Sequence, residues 1–144
     1  MDNSTKIVND KYNSTIAEYS LVSFLKVISR ITTDKEIIVY NSDKRLTKAL
    51  PGFKVNLGFG LHIGWSIEGA IGSHFKIDMS YLSPHVNWSS WLEGLTKTYH
   101  KEILFTDTLY VLFTSKKLKN LCWKVDWVLV KGAEYPTDIY TVDI

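Results

Sequence analysis

Residues 60–93 decide the fold, and they read GLHIGWSIEGAIGSHFKIDMSYLSPHVNWSSWLE. Over 61–65, large apolar residues alternate with small or polar ones, a period of two that predicts a β-strand. Glu68-Gly69 interrupts the alternation and 70–72 resumes it, so the pattern predicts a hairpin with its turn at 68–69. A loop over 74–85 then leads to a helix that we expect to begin near residue 86.

The rest of the chain predicts further helices and strands around this block. Periodicity and composition predict a helix over 15–31, strands over 37–40, 103–106, 123–131 and 139–142, and a short helix beginning at Asp107. The sequence therefore predicts an α+β fold, with a mostly antiparallel sheet and helices on one side. Residues 1–14 are polar and are expected to be frayed, and 15–144 are expected to form one domain.

The composition is that of a globular protein. The 144 residues are 45% hydrophobic and 22% charged, and the net charge of +2 gives no reason to expect a nucleic-acid partner. Cys122 is the one cysteine, so no internal disulfide can form, which fits a reducing compartment. No apolar run is long enough to span a bilayer and no signal peptide is evident, so we expect a cytoplasmic location.

The block at 60–93 resembles the second half of a class III nucleotidyl cyclase catalytic domain, of the type found in long protist adenylate and guanylate cyclases. The family hairpin is roughly G-h-H-x-G-x-x-x-G-x-I-G, and the following helix begins V-N-x-x-x-R-L. This chain follows the hairpin motif, with four residues rather than three between Gly64 and Gly69, and it has Val86-Asn87. Trp91 stands at the position of the family arginine. That departure matters as much as the match.

The end of the chain extends the resemblance. Residues 122–132, followed by Pro136 and 139–141, are similar to the closing strands of the same domain, although Trp123 stands where the family commonly has arginine. The likeness covers about residues 15–143. It implies a partial ferredoxin-like nucleotidyl cyclase fold, as part of a larger polypeptide that could lie on the cytosolic face of a membrane.

The resemblance implies a reaction and four site residues. A cyclase joins the 3′-hydroxyl of ATP or GTP to the α-phosphorus and releases pyrophosphate. By position in the motifs, Asn87 would orient the ribose, Trp91 would occupy the place of the transition-state arginine, Asp78 would read adenine and Lys131 would reach the triphosphate. The residues alone leave plainer alternatives: Trp91 as core or interface, Asp78 as a solvated loop acid or the acceptor of a helix-loop hydrogen bond, and Lys131 as a solvated lysine at a strand end.

The family also uses two Mg²⁺ or Mn²⁺ ions. Their aspartates belong to an N-terminal half with an F-x-D-I-x-x-F-T segment and a G-D turn, and neither motif occurs in this sequence. We therefore expect this chain to hold no metal. The four histidines, at 62, 74, 85 and 100, are scattered without metal-ligand spacing, and they predict no metal site.

Three hypotheses about function follow. The first is a part of a cyclase, adenylate type because of Asp78, that pairs with a second cyclase domain in a homodimer or heterodimer. On this hypothesis the isolated chain is expected to be inactive, because the metal half is missing and Trp91 carries no charge. The second is a non-catalytic pseudo-cyclase that modulates an intact cyclase, and the third is a regulatory module that binds nucleotide without turnover.

Overall fold

A computed structural model of the chain describes residues 11–130 and 135–143. The helices are α1 (Lys11–Thr33), α2 (Lys35–Ile38), α3 (Lys44–Ala49), α4 (Pro84–Tyr99), α5 (Asp107–Tyr110) and α6 (Lys116–Leu121), with a 3₁₀ turn at Val39–Ser42. The strands are β1 (Phe59–Leu61), β2 (Ile67–Gly72), β3 (Ile77–Leu82), β4 (Ile103–Thr106), β5 (Cys122–Val128) and β6 (Thr137–Val142).

Four of the strands form a central sheet in the order β1-β4-β6-β5. β1 runs parallel to β4, and the β4–β6 and β5–β6 pairs are antiparallel. Parallel neighbours need a long crossover connection. Here that crossover contains α4 and a separate antiparallel ribbon of β2 and β3. In sequence order, the ribbon and the start of α4 therefore come after β1 and before β4.

Two apolar clusters cover the two faces of the central sheet, because successive residues of a strand point to opposite faces. Ile103 and Phe105 belong to the cluster on the α1 side, together with Ala17, Leu21, Ile28, Leu61, Leu109, Leu112, Phe113, Leu118 and Val142. Leu104 points the other way and packs with Leu92 of α4 and with Ile139.

The predicted α+β class and the mostly antiparallel sheet are confirmed. The prediction of helices on one side is wrong, because α1 and α4 pack on opposite faces. The reason lies in β4, which is buried at all four positions and therefore needs cover on both faces.

The hairpin is placed differently from the prediction. β1 ends at Leu61, and the predicted turn at 68–69 lies inside β2, opposite Ser80 and Tyr81 of β3. The observed turn is at 73–76, a stretch predicted to be loop, where the Ser73 N–H donates to the Lys76 carbonyl at 2.8 Å. A β-carbon on Gly72 would come 2.1 Å from that carbonyl oxygen. The glycine that the turn requires is thus Gly72, and not Gly69.

Other boundaries also differ. The strand predicted over 37–40 is helical, because the Asp34 carboxylate accepts a hydrogen bond from the Glu36 N–H and caps α2. The helix predicted over 15–31 is confirmed as α1, which begins four residues earlier, at Lys11. The helix expected near residue 86 begins at Pro84. The strand at 103–106 is confirmed, and the strand predicted over 123–131 ends at residue 128.

Candidate functional site

The N-terminus of α4 is fixed by one serine. Ser83 is the N-cap, and its hydroxyl accepts a hydrogen bond from the His85 N–H at 3.0 Å. The same hydroxyl donates to the Trp65 carbonyl at 2.6 Å. Pro84 takes the first helical position, where its missing N–H costs nothing. The helix start is therefore tied to the segment between β1 and β2.

Two of the predicted site residues lie on this helix. Asn87 is exposed in the first turns of α4. Trp91 lies four residues later, on the same side of the helix one turn on. Its ring is half-buried and packs against the cluster of Leu92, Leu104 and Ile139. The position that holds arginine in the cyclases thus carries an apolar side chain that contributes to the packing under α4.

Asp78 lies on the ribbon. It is exposed on β3 opposite Ile71, and it forms an ion pair with Lys76 at 3.0 Å. Because β3 runs directly into α4 through Ser83, Asp78 and Asn87 belong to one continuous segment. Lys131, the fourth predicted residue, lies outside the described residues.

The structure also joins two histidines that the sequence presented as scattered. His62, just after β1, places Nε2 at 2.7 Å from His85 Nδ1 in the first turn of α4. Its other nitrogen, Nδ1, lies 2.8 Å from Thr106 Oγ1 at the end of β4. The two imidazole planes are 25° apart with centroids at 4.9 Å, and Trp88 stacks on His62 at 4.7 Å.

Burial makes His62 a neutral side chain at pH 7. Loss of solvent, together with a smaller contribution from the neighbouring His85, lowers the pKa of His62 to about 4. The sequence signals for this pair were a histidine in the G-h-H-x-G motif and another directly before Val86-Asn87. Periodicity could not join them, because they meet only through the fold.

Comparison with known proteins adds a family to this geometry. No family model matches the chain. An adenylate cyclase of Anabaena cylindrica is 29% identical over 104 residues, covering 72% of this chain and 21% of that protein. The terminal-differentiation specific adenylate cyclase of Dictyostelium discoideum is 33% identical over 98 residues, covering 65% of this chain and 5% of that protein.

A solved structure agrees with these relatives. A bacterial light-regulated adenylyl cyclase superposes with a TM-score of 0.50 at 28% identity, covering 60% of this chain and 23% of that one. These likenesses support a class III cyclase domain for part of this chain. The chain spans about a fifth or less of the length of the two curated relatives. None of the helices described here is long and apolar enough to cross a membrane.

The described residues do not fit the two metal ions that the resembled family uses. Within residues 11–130 and 135–143, no group of three or more His, Cys, Asp or Glu side chains could hold a metal ion. Asp78 is paired with Lys76, and the described residues add no third ligand to His62 and His85. No metal-dependent step can be assigned to these residues.

A pocket of about 410 Å³ lies at the other end of α4. It is lined by Asn56, Leu57, Gly58, Thr96, Lys97, His100, Lys101 and Glu102. His100 there adopts a left-handed backbone, with φ 52°, and ends the helix. Because Asn87 lies in the first turns of the same helix, this pocket is separate from the predicted nucleotide-binding residues Asn87 and Asp78.

Proposed function

We propose that this chain supplies nucleotide-contacting residues to an adenylate-type cyclase and works with a second cyclase domain. The observation that carries the proposal is the exposed Asn87 at the start of α4, directly after the ribbon that presents Asp78. An exposed amide can bind the ribose hydroxyls, and a carboxylate can accept from the exocyclic amine of adenine. The relatives named above are adenylate cyclases, which favours ATP over GTP.

Trp91 argues for low intrinsic activity. Cyclisation builds negative charge around the α-phosphorus, and a fixed donor or cation lowers the energy of that transition state. Trp91 has no charge, and its ring is engaged in packing under α4. Removing one such donor typically lowers a rate by about 10²–10³. We expect the isolated chain to produce no measurable cyclic AMP.

The ribbon supports a protein partner. Its strands and turn leave seven large apolar side chains more than half exposed: Ile67, Ile71, Phe75, Ile77, Met79, Tyr81 and Leu82. Phe75 at the turn is 98% exposed. A two-stranded ribbon is marginally stable alone, and an exposed apolar patch of this kind marks an interaction surface. We propose that a second cyclase domain covers it and brings the metal ions.

Nucleotide titration tests the site. We expect the purified chain to bind ATP, with weaker binding of GTP, in isothermal titration calorimetry. Asn87→Ala and Asp78→Ala are expected to weaken ATP binding, whereas Ser90→Ala, an exposed change on the same helix, leaves it unaltered. Equal binding by the parent and both site variants would refute the assignment of Asn87 and Asp78.

Association tests the partner. Sedimentation velocity at micromolar concentration, with and without an intact cyclase domain, measures the complex directly. We expect Phe75→Ser with Ile77→Thr to abolish association while the melting temperature of the isolated chain stays unchanged, because both side chains are exposed. Lys97→Ser serves as the control on a different exposed surface.

Trp91 also favours a second candidate function, a pseudo-cyclase that regulates an intact partner. Cyclic AMP production by the mixed pair separates the two functions. If the chain works as a catalytic half, Trp91→Arg raises the rate of the pair and Asn87→Ala lowers it. If it is a regulator, the chain alters the partner's rate and neither substitution changes that effect.

A further inference from the structure

The contacts of His62 and His85 form a continuous chain between three elements. We call the five residues Thr106, His62, His85, Ser83 and Trp65 the histidine clamp. From β4, Thr106 Oγ1 bonds His62, His62 bonds His85, the His85 N–H donates to Ser83, and Ser83 donates to the Trp65 carbonyl. β2 begins two residues after Trp65, and β3 ends one residue before Ser83. The histidine clamp therefore fixes the two ends of the ribbon that connect it to the rest of the fold, which are the start of β2 and the end of β3.

The two hydrogen bonds of the His62 ring are compatible with either tautomer of a neutral imidazole. A neutral imidazole has one donor and one acceptor nitrogen, and His62 uses one toward Thr106 and the other toward His85. If the Thr106 hydroxyl donates to Nδ1, Nε2–H donates to His85; if Nδ1–H donates to Thr106, Nε2 accepts from His85. Both arrangements satisfy the two ring nitrogens of His62 and the Nδ1 of His85. Either one fixes the rotation of both rings.

The surroundings leave the rings little room to turn. Trp88 lies on the face of His62, with planes 20° apart, and the Trp65 ring lies edge-on to His85 at 82°. A β-carbon on Gly64 would come 2.1 Å from Cγ of His85. His62 is therefore held by hydrogen bonds in its plane and by an indole on its face.

We propose that His62 and His85 are positioning residues that hold the ribbon, and with it Asp78, in one orientation relative to Asn87 on α4. This inference rests on the proposed function, in which both side chains contact one nucleotide. His85 precedes Asn87 by two residues on the same helix, and Asp78 lies on the strand that Ser83 joins to that helix. An error of about 1 Å in such a placement can lower a rate or an affinity by as much as about 10²-fold.

Three variants separate the hydrogen bonds from simple packing. His62→Phe keeps a ring against Trp88 but removes both hydrogen bonds. His85→Asn is the conservative replacement, because its amide places a donor or acceptor near the position of Nδ1 and keeps a partner for His62. Thr106→Val removes one hydroxyl at constant volume and serves if His62→Phe fails to fold. His74→Ala, an exposed histidine at the ribbon turn, is the matched control.

The first measurement is the orientation of the ribbon. Spin labels at Ser73 on the turn and Lys97 on α4, in a Cys122→Ala background, report the distance between them by double electron–electron resonance. We expect a narrow distribution in the parent, His85→Asn and His74→Ala. We expect a broader one in His62→Phe and Thr106→Val. An unchanged width in both of these variants would overturn the inference.

The second measurement is ATP affinity by calorimetry, together with the ¹⁵N spectrum of the imidazoles. We expect His62→Phe to weaken ATP binding about 10-fold and His85→Asn to retain most of the parent's affinity. The proton shared by the two rings should be visible in the parent and in His74→Ala, and absent from His62→Phe. Absence of ATP binding in every protein, with the expected change in width, would refute the proposed function alone. Broadened distances with unaltered affinity would refute the positioning role alone.

Discussion

Gly64 lies so close to His85 that a β-carbon at position 64 would come within 2.1 Å of the imidazole Cγ. Side-chain carbons do not approach other heavy atoms below about 3.0 Å, so one of the two groups would have to move. The glycine is thus needed for space rather than for an unusual backbone angle. It allows the segment after β1 to pass directly over the histidine ring.

Gly64→Ala is therefore expected to destabilise the chain by about 1–3 kcal/mol, because inserting a methyl group into a filled site forces rings off their rotamers. Urea denaturation followed by circular dichroism measures the change. Gly94→Ala is the matched control, since its β-carbon meets nothing within 4 Å. In a helix that substitution stabilises by up to about 1 kcal/mol. Equal midpoints for the two variants would contradict the packing described here.

Glu18 anchors the loop between α5 and α6 to the long N-terminal helix. Its Oε1 accepts the N–H groups of Thr114 at 2.5 Å and Ser115 at 2.7 Å, and the Thr114 hydroxyl at 3.0 Å. Glu18→Ala leaves those donors without their acceptor, and we expect a loss of about 1–3 kcal/mol. Glu36→Ala, at an exposed position on α2, should change stability little.

Acid should weaken this anchor. Burial raises the pKa of Glu18, but the hydrogen bonds from Ser115 and Thr114 outweigh it and hold the pKa below its ordinary value of 4.5. A lowered pKa in the folded state stabilises the fold above pH 4.5, and that contribution disappears as the pH falls through the folded value. The difference in unfolding free energy between the parent and Glu18→Gln should shrink from pH 7 to pH 3. A constant difference would show that the carboxylate charge contributes nothing.

Trp91→Arg should destabilise the isolated chain even if it improves catalysis in a complex. The change removes an indole from the cluster of Leu92, Leu104 and Ile139, and we expect it to cost about 1–3 kcal/mol. Trp127→Arg, at a position that is 63% exposed, is the control and should cost less than about 0.5 kcal/mol. Thermal melts of both proteins decide the matter. A neutral Trp91→Arg would mean that the ring is not part of the packing.

Cys122 should react slowly with alkylating reagents. Burial raises the pKa of its thiol to about 11 from an ordinary 9.0, and the thiol donates to the Leu118 carbonyl at 3.1 Å. Since only the thiolate reacts, carbamidomethylation by iodoacetamide at pH 8 should be about 100-fold slower in the folded chain than in urea. Mass spectrometry follows the single adduct. Similar rates in both conditions would place the thiol at the surface.

Local signals predicted much of this fold, and tertiary contacts explain what they missed. The apolar run at 103–106 identified β4 because it is buried on both faces. The glycine at 69 misplaced the hairpin turn, because sequence does not distinguish a glycine with open space around it from Gly72, which lies against a carbonyl. The β-branched residues at 37–39 suggested a strand, and the Asp34 cap makes them helical instead.

Some features of the candidate site were likewise predictable from local sequence, and others depend on tertiary contacts. The motif around Val86-Asn87 located the start of α4 within two residues, because capping and proline signals are local. The contact of His62 with His85 joins positions on two different elements, and no periodicity encodes it. Asp78 and Asn87 were predicted from resemblance, and their role in binding nucleotide stays a prediction.

The parallel pairing of β1 with β4 has a consequence for the order of folding. The ribbon closes through a tight local turn, whereas the pairing of Phe59 with Ile103 closes a long stretch of chain and costs more conformational entropy. Non-local contacts of this kind form slowly. The histidines and Asn87 all lie within that interval. We expect the histidines and Asn87 to reach their native positions late in folding, when β1 pairs with β4. We also expect them to be displaced when β1 separates from the edge of the sheet, before helix α1 melts.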